Sequence, residues 1–115
     1  MPREITKPWG SECIWAESSK YAGKLLYIQS GRKLSLQYHK QKEETIYVLK
    51  GKLELIFGTD ESFLFSKILS EGESFHIKPL LIHRFCAPYD DVTLIEVSTP
   101  ELDDVIRIED DYNRS

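Results

Sequence analysis

Hydrophobic and polar residues alternate along most of this chain in short runs with a period of two, and nowhere with a sustained period of 3.6. The runs are SECIWA, KLLYIQ, KLSLQYH, TIYVLK, KLELIF, SFLFSKI, SFHIK, HRFCA and VTLIEV, each about the length of one strand. Between them lie SGRK, LKGK, FGTDE, SEGE and PYDD, whose Gly, Asp, Ser and Pro residues supply turn conformations. Many short strands at close spacing predict an all-β sandwich or barrel. KLELIFG and SFLFSKI are expected to form a hairpin with Gly58 and Asp60 in its loop. Leu53, Leu55 and Phe57 alternate there against Lys52, Glu54 and Ile56, as a half-buried scaffold strand requires. The closing PELDDVIRIEDDYNRS suits a strand or a short helical turn with a solvated acidic end.

At 115 residues the chain reads as one domain, 1–115, with no Pro-, Gly- or Ser-rich linker to divide it. Fifteen Lys and Arg against nineteen Asp and Glu give a charge of −4, and no segment gathers the basic residues. Nucleic acid is therefore not an expected partner, since backbone binding needs a positive surface. No apolar run reaches the length that spans a bilayer, and MPREITKPWG lacks a signal-peptide core, so no membrane contact and a cytoplasmic location are expected. Cys13 and Cys86 have no metal-site or disulfide spacing and are expected to be buried free thiols.

The stretch KLSLQYHKQKEE puts Lys33, Ser35, Gln37 and His39 on one side of a strand and Leu34, Leu36 and Tyr38 on the other. Gln37 and His39, two apart, can reach one ion together, and Glu44 follows after the chain has had room to turn and pair back. His83 opens HRFCA after the break at Pro79. Taken singly, Gln37 and Glu44 suit a solvated surface and each histidine a hydrogen-bonded barrel position. Together, two imidazoles, a carboxylate and an amide carbonyl are acceptable donors for one divalent metal ion.

Gly31, Gln37, His39, Glu44 and Gly51 have the spacing of the first cupin motif, and GESFHIKPLLIH, with Gly72, Pro79 and His83, is similar to the second. This resemblance implies a cupin, a jelly-roll β-barrel with a metal in its lumen. Gln37 stands where most cupins carry a first histidine. That feature, with KPWGSE, LSLQYHKQKEE, HIKPLLIHR and LIEVSTPELDDVIRIEDDYNR, resembles the C-terminal isomerase domain of bifunctional mannose-6-phosphate isomerase/GDP-mannose pyrophosphorylases across nearly the whole chain. The resemblance implies metal ligation by Gln37, His39, Glu44 and His83, a Ser35 hydroxyl placed to meet a sugar phosphate or hydroxyl, and a tail arginine at Arg107; Lys33, on the same face near its wet end, joins Ser35 and Arg107 as a substrate-binding candidate. Arg84 follows the second-motif histidine as in the family, and Arg114 corresponds to a tail arginine better explained as an ion-pair partner. Departures are Lys42 for an arginine, Thr45 and Ile46 for a polar and aromatic pair, Leu80 for a glycine and Ala87 for an asparagine. Bulk at Leu80 and Leu81 is expected to narrow the barrel mouth.

The activity implied is a metal-dependent interconversion of mannose 6-phosphate and fructose 6-phosphate, in which a base moves a proton between neighbouring carbons. Lys42, His76 and Arg84 are the catalytic candidates, with Glu43 or a water on the metal as other bases. His76 enters the lumen only if Phe75 and Ile77 face outward; the simplest packing puts those two in the core and His76 in solvent. The alternative is a cupin that binds a sugar or small acid without turnover. Oxygen chemistry on iron is a third, disfavoured by Gln37. Zinc, manganese, cobalt, nickel and iron all suit the ligands. A homodimer is expected because of strand edges and the tryptophans of KPWGSECIW.

Overall fold

The computed structural model describes residues 2–114 and contains eleven strands and no helix among them. They are β1 (Arg3–Lys7), β2 (Gly10–Glu17), β3 (Ala22–Ile28), β4 (Leu36–Tyr38), β5 (Glu44–Lys50), β6 (Leu53–Asp60), β7 (Phe63–Leu69), β8 (Ser74–Ile77), β9 (Ile82–Cys86), β10 (Val92–Ser98) and β11 (Ile106–Glu109). Two antiparallel sheets run β1-β2-β3-β10-β5-β8 and β11-β4-β9-β6-β7. Without β1, β2 and β11 the orders reduce to 3-10-5-8 and 4-9-6-7, the eight strands of a jelly roll. The additions lengthen one edge of each sheet, and β11 settles the acidic tail as a strand beside β4.

Period-two patterning works here because each inward residue meets the opposite sheet. Ile46, Val48, Leu53, Leu55, Ile77 and Leu94 are all fully buried, together with Leu26, Ile28, Phe85 and Val92. Trp9 is 3 % exposed within this core, so it needs no cover from a second chain. Trp15, by contrast, sits at a register shift between β2 and β3 and lies against Gly23, where a Cβ atom would come within 2.6 Å of its ring. The hairpin forms as expected, but Glu61 and Ser62 make its turn, while Gly58 and Asp60 belong to β6. Gly51 holds φ +84 in the turn between β5 and β6, where a Cβ would lie 2.3 Å from the Asp91 carbonyl oxygen. No helix of the described residues is long and apolar enough to cross a membrane.

Two of the sequence departures lie away from the lumen mouth. Ala87 is fully buried in the apolar core, and its amide hydrogen-bonds the Arg32 carbonyl. Leu80 is 61 % exposed and turns outward, and Leu81 packs against the core, so neither narrows the mouth. Leu80 adopts φ 73, a left-handed conformation that a glycine holds without steric cost. Its amide donates to the His39 carbonyl, which fixes the conformation. Cys86 is buried and Cys13 half-buried, and burial with the nearby Glu54 carboxylate pushes the Cys86 thiol up to about 11.

Leu80→Gly is expected to stabilise the fold by about 0.5–1 kcal/mol, the left-handed penalty less the entropy cost of glycine, as an upward shift of the urea midpoint. At pH 8 an alkylating reagent is expected to label native protein at Cys13 only, with Cys86 reacting after unfolding. Mass spectrometry of the labelled peptides checks this.

Candidate metal centre

Hydrogen bonds orient the ring nitrogens of His39 and His83. His39 Nδ1 faces the Asp104 carbonyl, and His83 Nδ1 lies 2.9 Å from the Leu81 carbonyl. A carbonyl only accepts, so each Nδ1 carries the hydrogen and each Nε2 is left as a lone pair. Both Nε2 atoms then converge on Glu44 Oε1, at 3.0 Å from His39 and 3.5 Å from His83. The three side chains are buried, and their ligand atoms lie within 4.8 Å of one another. His83 Nε2 and Glu44 Oε2 have no hydrogen-bond partner among the described residues. Three acceptors facing one another repel unless a cation sits between them, either a further proton on an imidazole or a metal ion. The donor set fits a divalent ion of borderline softness, and the outer carbonyls supply the support that metal-bound imidazoles ordinarily have.

Strand pairing brings these residues together from distant parts of the chain. Glu44 begins β5, His83 is in β9, and Gln37 in β4 is the register partner of His83, so the two share a face. The stretch containing Gln37 is not the uninterrupted strand that its alternation suggests. Lys33 bridges Cys86, so four residue steps to Gln37 oppose three from Cys86 to His83, which is a β-bulge. Leu34 and Gln37, three apart, consequently both line the cavity. Ser35 sits behind Gln37 and donates from Oγ to Gln37 Oε1 at 2.7 Å, which orients the amide.

A cleft leads from this group to solvent. Gln37, His39, Glu44, Lys42 and Arg107 line it, as does Glu96 of β10, which the sequence reading did not single out. Lys42 Nζ is 3.2 Å from Glu96 Oε2 and 3.8 Å from Glu44 Oε2, with all three side chains buried. Burial and the charge of Glu44 push Glu96 up to about 8, against the opposing Lys42 ammonium. Burial also opposes ionisation of Glu44, yet the contact with Glu96, the hydrogen bonds that His39 and His83 donate when a further proton sits on Nε2, and the charge of Lys42 hold it well below the usual carboxylate range. The signal available in the sequence was a glutamate at an inward position of VTLIEV, where its alternation with Leu94 assigns it to the core.

Three candidates lie outside the cavity. His76 points to solvent from β8 and pairs with Glu43, because Ile77 and Phe75 take the inward positions. Arg84 is buried on the outer face of its sheet, where Nε donates to the Leu34 carbonyl at 2.7 Å and Nη1 to Glu109 Oε1 at 3.0 Å. It therefore clamps the tail to the barrel. Lys33 is half-exposed and lies 3.6 Å from Asp111.

Asp104 is a further residue that alternation cannot reveal. Its carboxylate accepts hydrogen bonds from the amides of Lys40, Gln41 and Lys42 at 3.1, 2.7 and 2.9 Å, and these hold its acid near pH 2, well below the ordinary 3.8. Together with the His39 contact, one tail residue fixes the loop from the first histidine to the lysine. Asp104→Ala is expected to cost about 1–2 kcal/mol at pH 7, allowing for solvent screening of a partly exposed group. The folded-state acid is stronger than the unfolded one, so the stabilisation is full above about pH 4 and fades toward pH 2. Urea titrations of both proteins across that range check the closing gap.

The family described as "Mannose-6-phosphate isomerase C-terminal" matches residues 1–110. Among curated relatives, the xanthan biosynthesis protein XanB of Xanthomonas campestris pv. campestris is 32 % identical over 98 % of this chain and 24 % of its own length. The alginate biosynthesis protein AlgA of Pseudomonas aeruginosa is 30 % identical over 97 % of this chain and 23 % of its own. Mannose-1-phosphate guanylyltransferase ManC of Salmonella typhimurium is 32 % identical over 99 % and 24 %. The chain thus spans about a quarter of the length of these relatives. Of solved structures, the capsular polysaccharide assembling protein CapF of Staphylococcus aureus superposes with a TM-score of 0.82 at 16 % identity, over 95 % of this chain and 34 % of that one. Oxalate decarboxylase of Bacillus subtilis superposes with a TM-score of 0.81 at 15 % identity, over 93 % and 30 %. These likenesses show the fold, which is that of the cupins.

Proposed function

We propose that this chain, which belongs to the mannose-6-phosphate isomerase C-terminal family, is a metal-dependent aldose–ketose isomerase acting on mannose 6-phosphate and fructose 6-phosphate. The observation that carries the reading is the convergence of two imidazole lone pairs and a buried carboxylate at the end of an open cleft. A divalent ion held by His39, Glu44 and His83, with Gln37 beside them, would supply Lewis-acid polarisation of the substrate's neighbouring carbonyl and hydroxyl oxygens.

The rest of the chemistry falls to the chain's own side chains. Isomerisation takes a proton from the carbon beside the carbonyl, passes through an enediol and returns a proton to the adjacent carbon. One group must carry that proton, and a cationic donor must face the oxygen on which negative charge grows. Glu96 and Lys42 have these roles in our reading, since both line the cleft beside Glu44 and contact each other at 3.2 Å. Glu96 carries the proton on its carboxyl oxygen. The Lys42 ammonium donates to the developing oxyanion. Leu26, Leu34 and Phe85 form an apolar wall that limits water beside the reacting carbons.

Metal-loaded protein incubated with mannose 6-phosphate in deuterated water is expected to lose the C2 proton signal and form fructose 6-phosphate, both followed by NMR. Chelation or Glu44→Ala is expected to abolish the exchange, and Glu96→Gln to slow it by at least about 100-fold while the metal stays bound. An absence of exchange with every hexose phosphate offered would overturn the reading in favour of a cupin that binds sugars without turnover.

A further inference from the structure

The cleft is basic although the chain is acidic. Lys7, Lys24, Lys42, Arg107 and Arg114 line it against Glu12, Glu44 and Glu96, in a protein with a formal charge of −4. The excess is unevenly placed. Lys42 is occupied by Glu96 and Glu44, and Arg114 is held by Asp110 through contacts of 3.0 and 3.2 Å. At the other end Lys7 and Lys24 share one carboxylate, Glu12, at 3.7 and 3.1 Å. Within salt-bridge distance the two ammonium groups share one carboxylate, and the other carboxylate beside Lys24, its register partner Glu96, is engaged by Lys42. The Lys24 side chain is only 11 % exposed, so little water screens it.

Register fixes where this end lies relative to the candidate metal centre. Glu44, Glu96, Lys24, Glu12 and Lys7 occupy β5, β10, β3, β2 and β1, five strands in succession across one sheet, and all take inward positions. Lys24 is two strands from Glu44 and, because its register row runs through Glu96 to Ile46, two residues along as well, which is about 12 Å between backbones at the usual spacings. A hexose that presents its carbonyl end at Glu44, with a phosphoryl group on its terminal carbon, spans most of that distance, and the lysine side chain covers the rest. Lys7, Glu12 and Lys24 also border an outer groove with Asp103 and the Arg3–Glu17 pair, so this end of the cleft is reached from solvent.

We propose that Lys7 and Lys24, braced by Glu12, form a phosphoryl-binding subsite that selects phosphorylated over neutral sugars and sets the distance between phosphate and reacting carbons. The assignment rests on the isomerase reading for the identity of the sugar, but anion binding is a property of the chain alone. Glu12 keeps the buried Lys24 and the partly exposed Lys7 ammonium groups together until an anion arrives, and a phosphate dianion then satisfies both through charge-assisted hydrogen bonds.

The test uses metal-free, full-length chain, so that phosphate has no ion to bind. Inorganic phosphate, mannose 6-phosphate and mannose are titrated by calorimetry and by the NMR shift of the Trp9 indole, which borders the cleft. Saturable binding of both phosphates and none of mannose is expected, weakening as salt rises. Lys7→Gln, a change at a side chain 28 % exposed that leaves the Lys24–Glu12 pair in place, is expected to weaken phosphate about tenfold. In turnover it is expected to raise KM for mannose 6-phosphate with kcat little changed. Lys67→Gln, on exposed β7 of the other sheet, is expected to bind phosphate as the wild type does. Equal affinity for mannose and mannose 6-phosphate, or unaltered phosphate binding in a folded Lys7→Gln protein, overturns the subsite. Phosphate binding lost in Lys7→Gln without C2 exchange in the wild type overturns the isomerase reading and leaves the subsite standing. C2 exchange with an unaltered KM in Lys7→Gln does the reverse.

Discussion

An ionised carboxylate inside a small apolar barrel costs several kcal/mol of desolvation unless cationic or hydrogen-bonding groups surround it, and Glu44 imposes that demand here. Its side chain is 2 % exposed, one register row from the fully buried Ile46. The surrounding lumen is arranged around this charge: imidazoles on one side, the Lys42 ammonium and the Glu96 carboxyl on the other. Because His39 and His83 spend their Nδ1 hydrogens on backbone carbonyls, they turn lone pairs toward the carboxylate, and the group calls for a cation. Stability and candidate chemistry thus have one origin.

The charged residues cross an apolar sheet on a diagonal. Glu96 and Lys24 are register partners, Glu12 lies in the row of Leu26, Leu94 and Val48, and Lys7 in the row of Gly10, Ile28 and Val92. From Glu96 to Lys24, Glu12 and Lys7 the stripe places opposite charges on adjacent strands, where cross-strand pairing stabilises both, and Lys42 stands between the like charges of Glu44 and Glu96. The carboxyl-terminal segment completes the arrangement. Asp104 holds the loop between His39 and Glu44, Arg107 pairs in register with Gln37, and Arg84 clamps Glu109 from outside. The residues that seemed to be a solvated acidic end are in part the support of the site.

Much of this was legible from the residues. Period-two runs separated by turn residues led to an all-β barrel, and the order of glycine, glutamine, histidine and glutamate pointed to side chains that converge in its lumen. The same alternation misled at Lys33, since a bulge slips the pattern by one residue between the bridge at Lys33 and β4. Arg84 was drawn toward catalysis by its place after a ligand histidine, yet neighbours in a strand face opposite ways, and that alternation sends it under the tail. His76 was left open between two registers, which the packing of Phe75 and Ile77 decides.

The sequence by itself determined the strand class, the apolar inward set and the four residue types suited to a divalent ion, because side-chain period and donor chemistry are local properties. Only the tertiary structure decided that Glu96, Lys24, Glu12 and Lys7 continue the line that starts at Glu44, and that Asp104 braces the ligand loop. Those relations join strands distant along the chain, and hydrogen-bonded register across a closed barrel sets them.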